Sequence, residues 1–242
     1  MAKFITSFTV NSHDTDKNGN LYPSVALRYL HEAANLQFEY SHPTLDELRY
    51  VEKKAFLLSR ASMELTRPIH KFETVTAETW SGGGKAASFY RCGELKVNGE
   101  VVGKLVSLWA LLDLESGKLC RVKDTDLGIE ALEEFPLAIP THLRFSKELV
   151  FTEVGKRRIY NSDIDLNGHM NNTNYPDMFC DFIPNIENLT VTSFSVGYIH
   201  EAKLGEELTV YHANEGDTHY MYTLRADGSI NAEALIETES AI

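Results

Sequence analysis

Cysteine is scarce and unpatterned in this chain of 242 residues. Its three cysteines, Cys92, Cys120 and Cys180, are far apart and make no CxxC pair. An odd count without a spacing framework excludes a disulfide-stapled scaffold and suits a reducing compartment. Long apolar runs are missing too. The strongest, Leu105 to Leu114, is about half the length of a membrane span, and the first residues lack the apolar core of a secretion signal. The expectation is a cytoplasmic protein with no membrane insertion. Basic residues are in deficit: 23 Lys and Arg stand against 35 Asp and Glu, a net charge of −12. A general nucleic-acid binder needs a basic face, so that class is excluded.

What is present is ordinary globular composition, 43% hydrophobic and 24% charged, in a length that suits one large domain or two of roughly 120 residues. A repeat favours two. Asp14, Asp16, Asn18, Gly19, Asn20 and Leu21 recur in the same spacing as Asp163, Asp165, Asn167, Gly168, His169 and Met170. An alternating segment precedes each copy, Phe4 to Val10 and Leu149 to Tyr160. A helix-like segment and a run of strands follow each.

In the first half, Pro23 suits the first position of a helix. Val25, Tyr29, Ala33 and Leu36 lie along one stripe, with Ala26, Leu30 and Ala34 beside it, and the helix is expected to end near Ser41 to Pro43. Strands are expected over Phe56 to Leu65, Glu73 to Ser81, Ala86 to Val97 and Val101 to Leu114, with turns at Ser81 to Gly84 and at Asn98-Gly99. The second half reads as a short helix over Tyr175 to Phe182. Strands follow near Thr190 to Ile199, Glu207 to Ala213, Thr218 to Ala226 and Ile230 to Glu239. Strand, helix and antiparallel meander, twice, is an α+β architecture. A helix wrapped by a curved antiparallel sheet is a hotdog, so the expectation is two in tandem: residues 1–120, a linker over 121–147, and 148–242. So long a linker is expected to pack along the outside of both halves.

The repeated D-x-D-x-N-G spells the start of a calcium loop. That loop requires a bidentate Glu at its twelfth position, where the two copies carry Val25 and Asn174. Calcium is thereby excluded, and no metal is expected. An Asx-rich turn leading into a helix explains the first copy completely. The second differs from it by His169 in place of Asn20, a titratable group in one half alone.

Asp163 to Tyr175, read as D-x-D-x-N-x-H-x-N-N-x-x-Y, resembles the signature of acyl-acyl carrier protein (acyl-ACP) thioesterases. Asp14 to Leu30, Leu57 to Arg60 and Trp109 are similar to that family as well, and the likeness runs from about Phe4 to Thr238. The resemblance implies a double hotdog fold and hydrolysis of fatty acyl thioesters without a cofactor. It implies that Asp165, Asn167 and His169 act with a Glu on a later strand, which maps to Glu201 in the segment Tyr198 to Gly205. Many plant members carry a cysteine directly after this Glu. Ala202 stands there instead, so no thiolate is required at that place, and Cys180 lies in an apolar helix segment that suits packing.

Several roles stay open at this level. Asp165 can cap a helix or orient His169 and Asn167. Asn167 can stabilise the turn or position the thioester oxygen or a water. Glu201 can act as general base or as nucleophile. The stripe of Val25, Tyr29, Leu30, Ala33 and Ala34 can line an acyl tunnel or be plain core. The implied partner is an acidic carrier protein bearing the acyl group on phosphopantetheine, and it would need a local basic surface. Lys156, Arg157 and Arg158 are the candidates. An acyl-CoA thioesterase of the same fold and a non-catalytic acyl-binding module are the alternatives, and a homodimer is compatible with all three.

Overall fold

The computed structural model describes residues 2–132, 134–139, 143 and 145–241. They form two compact units, Met1–Leu21 with Ala26–Ile139, and Tyr22–Val25 with Pro140–Ile242. The first unit contains β1 (Lys3–Thr9), most of α1 (Pro23–Glu39), β2 (Lys54–Leu65), β3 (Thr74–Lys85), β4 (Ser88–Val97) and β5 (Glu100–Asp113). Its strands run in the order β1-β3-β4-β5-β2, and each neighbouring pair is antiparallel.

The apolar side of α1 meets this sheet. Tyr29 stacks on Phe8 of β1 with centroids 4.4 Å apart, and Phe38 meets Phe56 of β2 at 5.9 Å. Leu30 lies directly over Gly93 of β4. Val25, Tyr29, Leu30 and Ala33 are buried and Ala34 is half-buried. A leucine buried as completely as Leu30 contributes about 1.5–3 kcal/mol relative to exposure.

Side chains alternate across a strand, so Cys92 points away from the face that Leu30 covers. With Trp80 and Val106 it forms a second cluster, against which Tyr90, Leu132, Leu137 and Ile139 pack. Trp80 Nε1 donates to Glu134 O at 2.8 Å, and Ala131 bridges Ser81. Part of the stretch expected to link the halves is thus a cover on the first unit. In the second unit Phe145 packs on Phe151 and Tyr220. The middle of that stretch, around 140–142, lies outside the described residues.

The expected turn at Ser81 to Gly84 is corrected: these residues continue β3 to Lys85. The register slips between Ser81 and Gly84, and the chain reverses after Lys85, with Ala86 at φ 57°. The glycines serve close approach instead. A Cβ on Gly84 would come within 2.5 Å of Ser88 O.

The second unit contains β6 (Thr152–Arg158), α2 (Tyr175–Cys180), β7 (Leu189–Tyr198), β8 (Glu207–Glu215), β9 (Thr218–Leu224) and β10 (Ile230–Ser240). Its order, β6-β8-β9-β10-β7, is that of the first unit strand for strand, and all pairs are again antiparallel. The helix is shorter than expected, six residues ending before Asp181. A helix of this length holds only through packing, and Tyr175, Met178, Phe179 and Cys180 are all buried. Among the described residues, no helix is long and apolar enough to cross a membrane.

A histidine pair is buried in this second sheet. Thr238 Oγ1 donates to Asp217 O, so it accepts from His219 Nε2 at 3.2 Å. In the neutral ring His219 Nδ1 is then an acceptor, and His212 Nε2 donates to it at 3.0 Å. Burial pushes both imidazoles below the usual 6.5; the neighbouring ring adds to this at His212, and Asp217 offsets part of it at His219. Below about pH 6.5 the unfolded chain binds protons that the folded pair refuses, so stability is lost as the pH falls. The melting temperature should drop between about pH 7.5 and about pH 5.5, and the double variant His212→Gln, His219→Gln should flatten that slope. Thermal melts across the range check this; identical slopes would contradict it.

Candidate active site

The repeated motif folds into the same loop in both units. Asp16 N donates to Asn20 O at 2.8 Å, and Asp165 N to His169 O at 3.0 Å. Asp16 Oδ1 accepts from Asn18 N, and Asp165 Oδ1 from Asn167 N, both at 2.8 Å. The glycines, Gly19 at φ 80° and Gly168 at φ 84°, take the left-handed conformation that closes the turn. Each loop then docks on a later segment: Leu21 N donates to Ile69 O at 2.7 Å, and Met170 N to Ala202 O at 2.8 Å.

The equivalent positions differ in chemistry. In the second unit the docked segments carry His169 and Glu201, with His169 Nε2 3.6 Å from Glu201 Oε1. The imidazole is largely buried, its side chain 14% exposed, whereas the carboxylate is 54% exposed. His169 Nδ1 faces Met170 O at 3.4 Å. A carbonyl only accepts, so Nδ1 donates to it, and Nε2 is turned to the carboxylate. In the first unit the same backbone docking brings up Asn20 and Pro68, which can neither take nor give a proton.

Asp165 accepts from the Asn167 backbone and lies 3.5 Å from Asn167 Nδ2, so it orders Asn167. The capping role falls to Asn171, whose Oδ1 accepts from Thr173 N and Oγ1, both at 2.9 Å. Asp163 is buried; it accepts from Tyr160 N at 2.8 Å and from Arg157 Nη2 at 2.6 Å. Asp165, Asn167 and Asn171 line an open surface pocket with Ile164 and Leu166, the last fully exposed.

Two of the three basic candidates are engaged within the unit. Lys156 pairs with Glu207 at 3.0 Å, and Arg157 holds Asp163. Arg158 is exposed and, among the described residues, makes no ion pair. Sequence reasoning missed Arg157 as the partner of the motif's first carboxylate. It also missed a buried polar group around Asn231, fully enclosed in β10. A polar residue at an apolar-facing position of a strand, between Ile230 and Ala232, was the available signal.

Neither buried thiol is poised for attack. Burial pushes Cys92 up to about 12 and Cys180 higher still, with Asp177 and Asp181 adding to the rise at Cys180. Both thiols are protonated at neutral pH, and a thiolate is the nucleophilic form.

Known proteins share this architecture. An acyl-ACP thioesterase from Bacteroides thetaiotaomicron VPI-5482 superposes with a TM-score of 0.88 at 20% identity, covering 98% of each chain. A 12:0-ACP thioesterase from Umbellularia californica gives 0.80 at 16% identity, over 99% of this chain and 98% of that one. At such identities the likeness shows the fold alone. No curated protein matches the chain by sequence. The family profiles do match: the acyl-ACP thioesterase N-terminal domain over residues 1–127 and the C-terminal domain over 151–239. The chain is therefore a thioester hydrolase acting on fatty acyl thioesters. It belongs to the acyl-ACP thioesterase family.

With both buried thiols protonated and Ala202 beside Glu201, turnover should be independent of cysteine. The triple variant Cys92→Ala, Cys120→Ala, Cys180→Ala should keep kcat within about threefold, checked on folded protein by thiol release from an acyl substrate. A folded triple variant without turnover would contradict this.

Proposed function

We propose that this enzyme hydrolyses fatty acyl-ACP at a single site in the second unit, through Glu201, His169 and Asn167, with Asp165 ordering Asn167. The observation that carries the reading is the asymmetry of two otherwise matching loops. The proton-transferring pair, 3.6 Å apart, occurs in one unit, and Asn20 and Pro68 hold its place in the other. On this reading each unit is a hotdog, and the stripe of Val25, Tyr29, Leu30, Ala33 and Ala34 shapes the acyl-chain site.

Glu201 takes a proton from water, and the resulting hydroxide adds to the thioester carbonyl carbon. The Asn167 amide polarises the carbonyl oxygen as it gains negative charge. Collapse of the tetrahedral intermediate breaks the carbon–sulfur bond. The proton passes to the departing sulfur, with His169 as relay, leaving fatty acid and the phosphopantetheine thiol. Half-exposure of Glu201 suits a group that must meet water.

Glu201→Gln keeps the shape and removes the base, so kcat should fall about 10²- to 10⁴-fold with KM nearly unchanged. Steady-state kinetics on an acyl-ACP panel of several chain lengths tests it; near wild-type kcat would overturn the assignment. Single turnover in heavy-oxygen water separates the two carboxylate roles. Label in the fatty acid alone marks water attack, and label in Glu201 marks an anhydride.

The carrier docks, on this reading, against the basic end of β6. Because Lys156 and Arg157 are paired internally, Arg158 carries most of that contact. Arg158→Glu should raise KM for acyl-ACP by about three- to tenfold and leave the matched acyl-CoA unaffected. Equal effects on both substrates would remove carrier docking from this strand, and faster turnover of acyl-CoA in the wild-type enzyme would favour coenzyme A as the natural handle.

A further inference from the structure

We infer that Asn231 is a positioning residue for Glu201, and that its buried carboxamide sets the distance between that carboxylate and His169. The inference rests on Glu201 being the base proposed above.

Asn231 occupies an irregular point of β10. Ile230 pairs with Leu224 and Ala232 with Thr223, so Asn231 is the extra residue of a bulge against β9. Bulges re-aim side chains, and here the side chain is wholly enclosed. His200 O and the Thr223 hydroxyl fix which way the amide faces. A carbonyl only accepts, so it is Asn231 Nδ2 that donates to His200 O, and the same nitrogen donates to Tyr175 Oη at 3.1 Å. Oδ1 accepts from Thr223 Oγ1 at 3.0 Å. The Asn231 backbone carbonyl accepts from both Ile199 N and His200 N at 2.9 Å.

Every polar atom of Asn231's carboxamide thus has a partner; one of its bonds ends on His200, the residue before Glu201, and the Asn231 backbone carbonyl adds two more to Ile199 and His200. On the other side, Ala202 O is held by Met170 N at 2.8 Å. Glu201 is therefore strung between two fixed residues. Its backbone cannot slide along the strand end, and its carboxylate reaches His169. Tyr175 extends the grip to the start of α2, and Tyr198 Oη donates to Asn172 O at 2.9 Å beside it. Burial raises both phenols, Tyr175 to about 12 and Tyr198 well above the usual 10, so both stay neutral hydrogen-bonding groups. A misplacement of about 1 Å at a reacting group costs up to about 10²-fold in rate.

The test is a double-mutant cycle on the full-length enzyme, using the acyl thioester it turns over fastest. Asn231→Ala should lower kcat about 10- to 100-fold and change KM less than about threefold. In a Glu201→Gln background the same substitution should change kcat less than about twofold, because the group it positions is already gone. Tyr175→Phe removes one bond of the network with little loss of volume. It should show the same pattern at about three- to tenfold, and it decides the matter if Asn231→Ala does not fold. Equal losses in both backgrounds, or a lowered melting temperature with unchanged kcat, would make the network merely structural and overturn the inference alone. Wild-type kcat in Glu201→Gln would overturn the base assignment and the inference together.

Discussion

The hydrogen bond from Met170 N to Ala202 O, 2.8 Å long, underlies the geometry of the candidate site. Both of its residues are buried, and a buried backbone group left unpaired is costly. The bond therefore holds the motif loop against the end of β7's continuation. His169 directly precedes one partner and Glu201 directly precedes the other. Fixing one backbone pair thus brings two side chains to one place, where imidazole and carboxylate stand 3.6 Å apart. Neither side chain has to supply the energy that brings it there.

The same bond exists in the first unit, from Leu21 N to Ile69 O at 2.7 Å, where the preceding residues are Asn20 and Pro68. The surrounding set is shared in detail. Val10 N donates to Glu73 O as Ile159 N does to Glu206 O, and Phe72 N reaches Val10 O as Gly205 N reaches Ile159 O. The paired glutamates repeat as well, with arginines from different places: Glu73 accepts from Arg67, just before it, and Glu206 from Arg225, after β9. The scaffold thus repeats its main backbone bonds, while the side chains at two positions differ in whether they can transfer a proton.

Charge is spent locally. The chain carries a net −12, yet the cations near the candidate site mostly answer nearby carboxylates: Arg157 to Asp163, Lys156 to Glu207, Arg225 to Glu206. Arg157 is the most consequential of these, since it holds a buried carboxylate that also accepts from Tyr160 N at the entry to the motif loop. A hydrogen-bonded pair of this kind, partly shielded from water, stabilises more than an exposed one. One member of a basic triplet in sequence is in this way part of the loop's own framework, and a second ties β6 to β8.

The repeat, the antiparallel meanders and the motif residues Asp165, Asn167 and His169 were legible in the amino-acid order, because alternation, turn residues and spacing are local properties. So were the buried stripe of α1 and the mismatch between Asn20 and His169. Glu201 came from resemblance: nothing local to Tyr198–Gly205 marks a half-exposed glutamate as special. The run Ser81 to Gly84 was misread as a turn because glycine permits both reversal and close approach, and only the neighbouring strand decides between them. The role of Asn231, the engagement of Arg157 and Lys156, and the choice of Asn171 rather than Asp165 as the cap depend on partners brought near by the sheet, many of them distant in the chain. Sequence by itself determined which backbone patterns form and which side chains are available; the tertiary structure alone decided which polar groups meet, because hydrogen bonds and ion pairs depend on distances that local patterns do not contain.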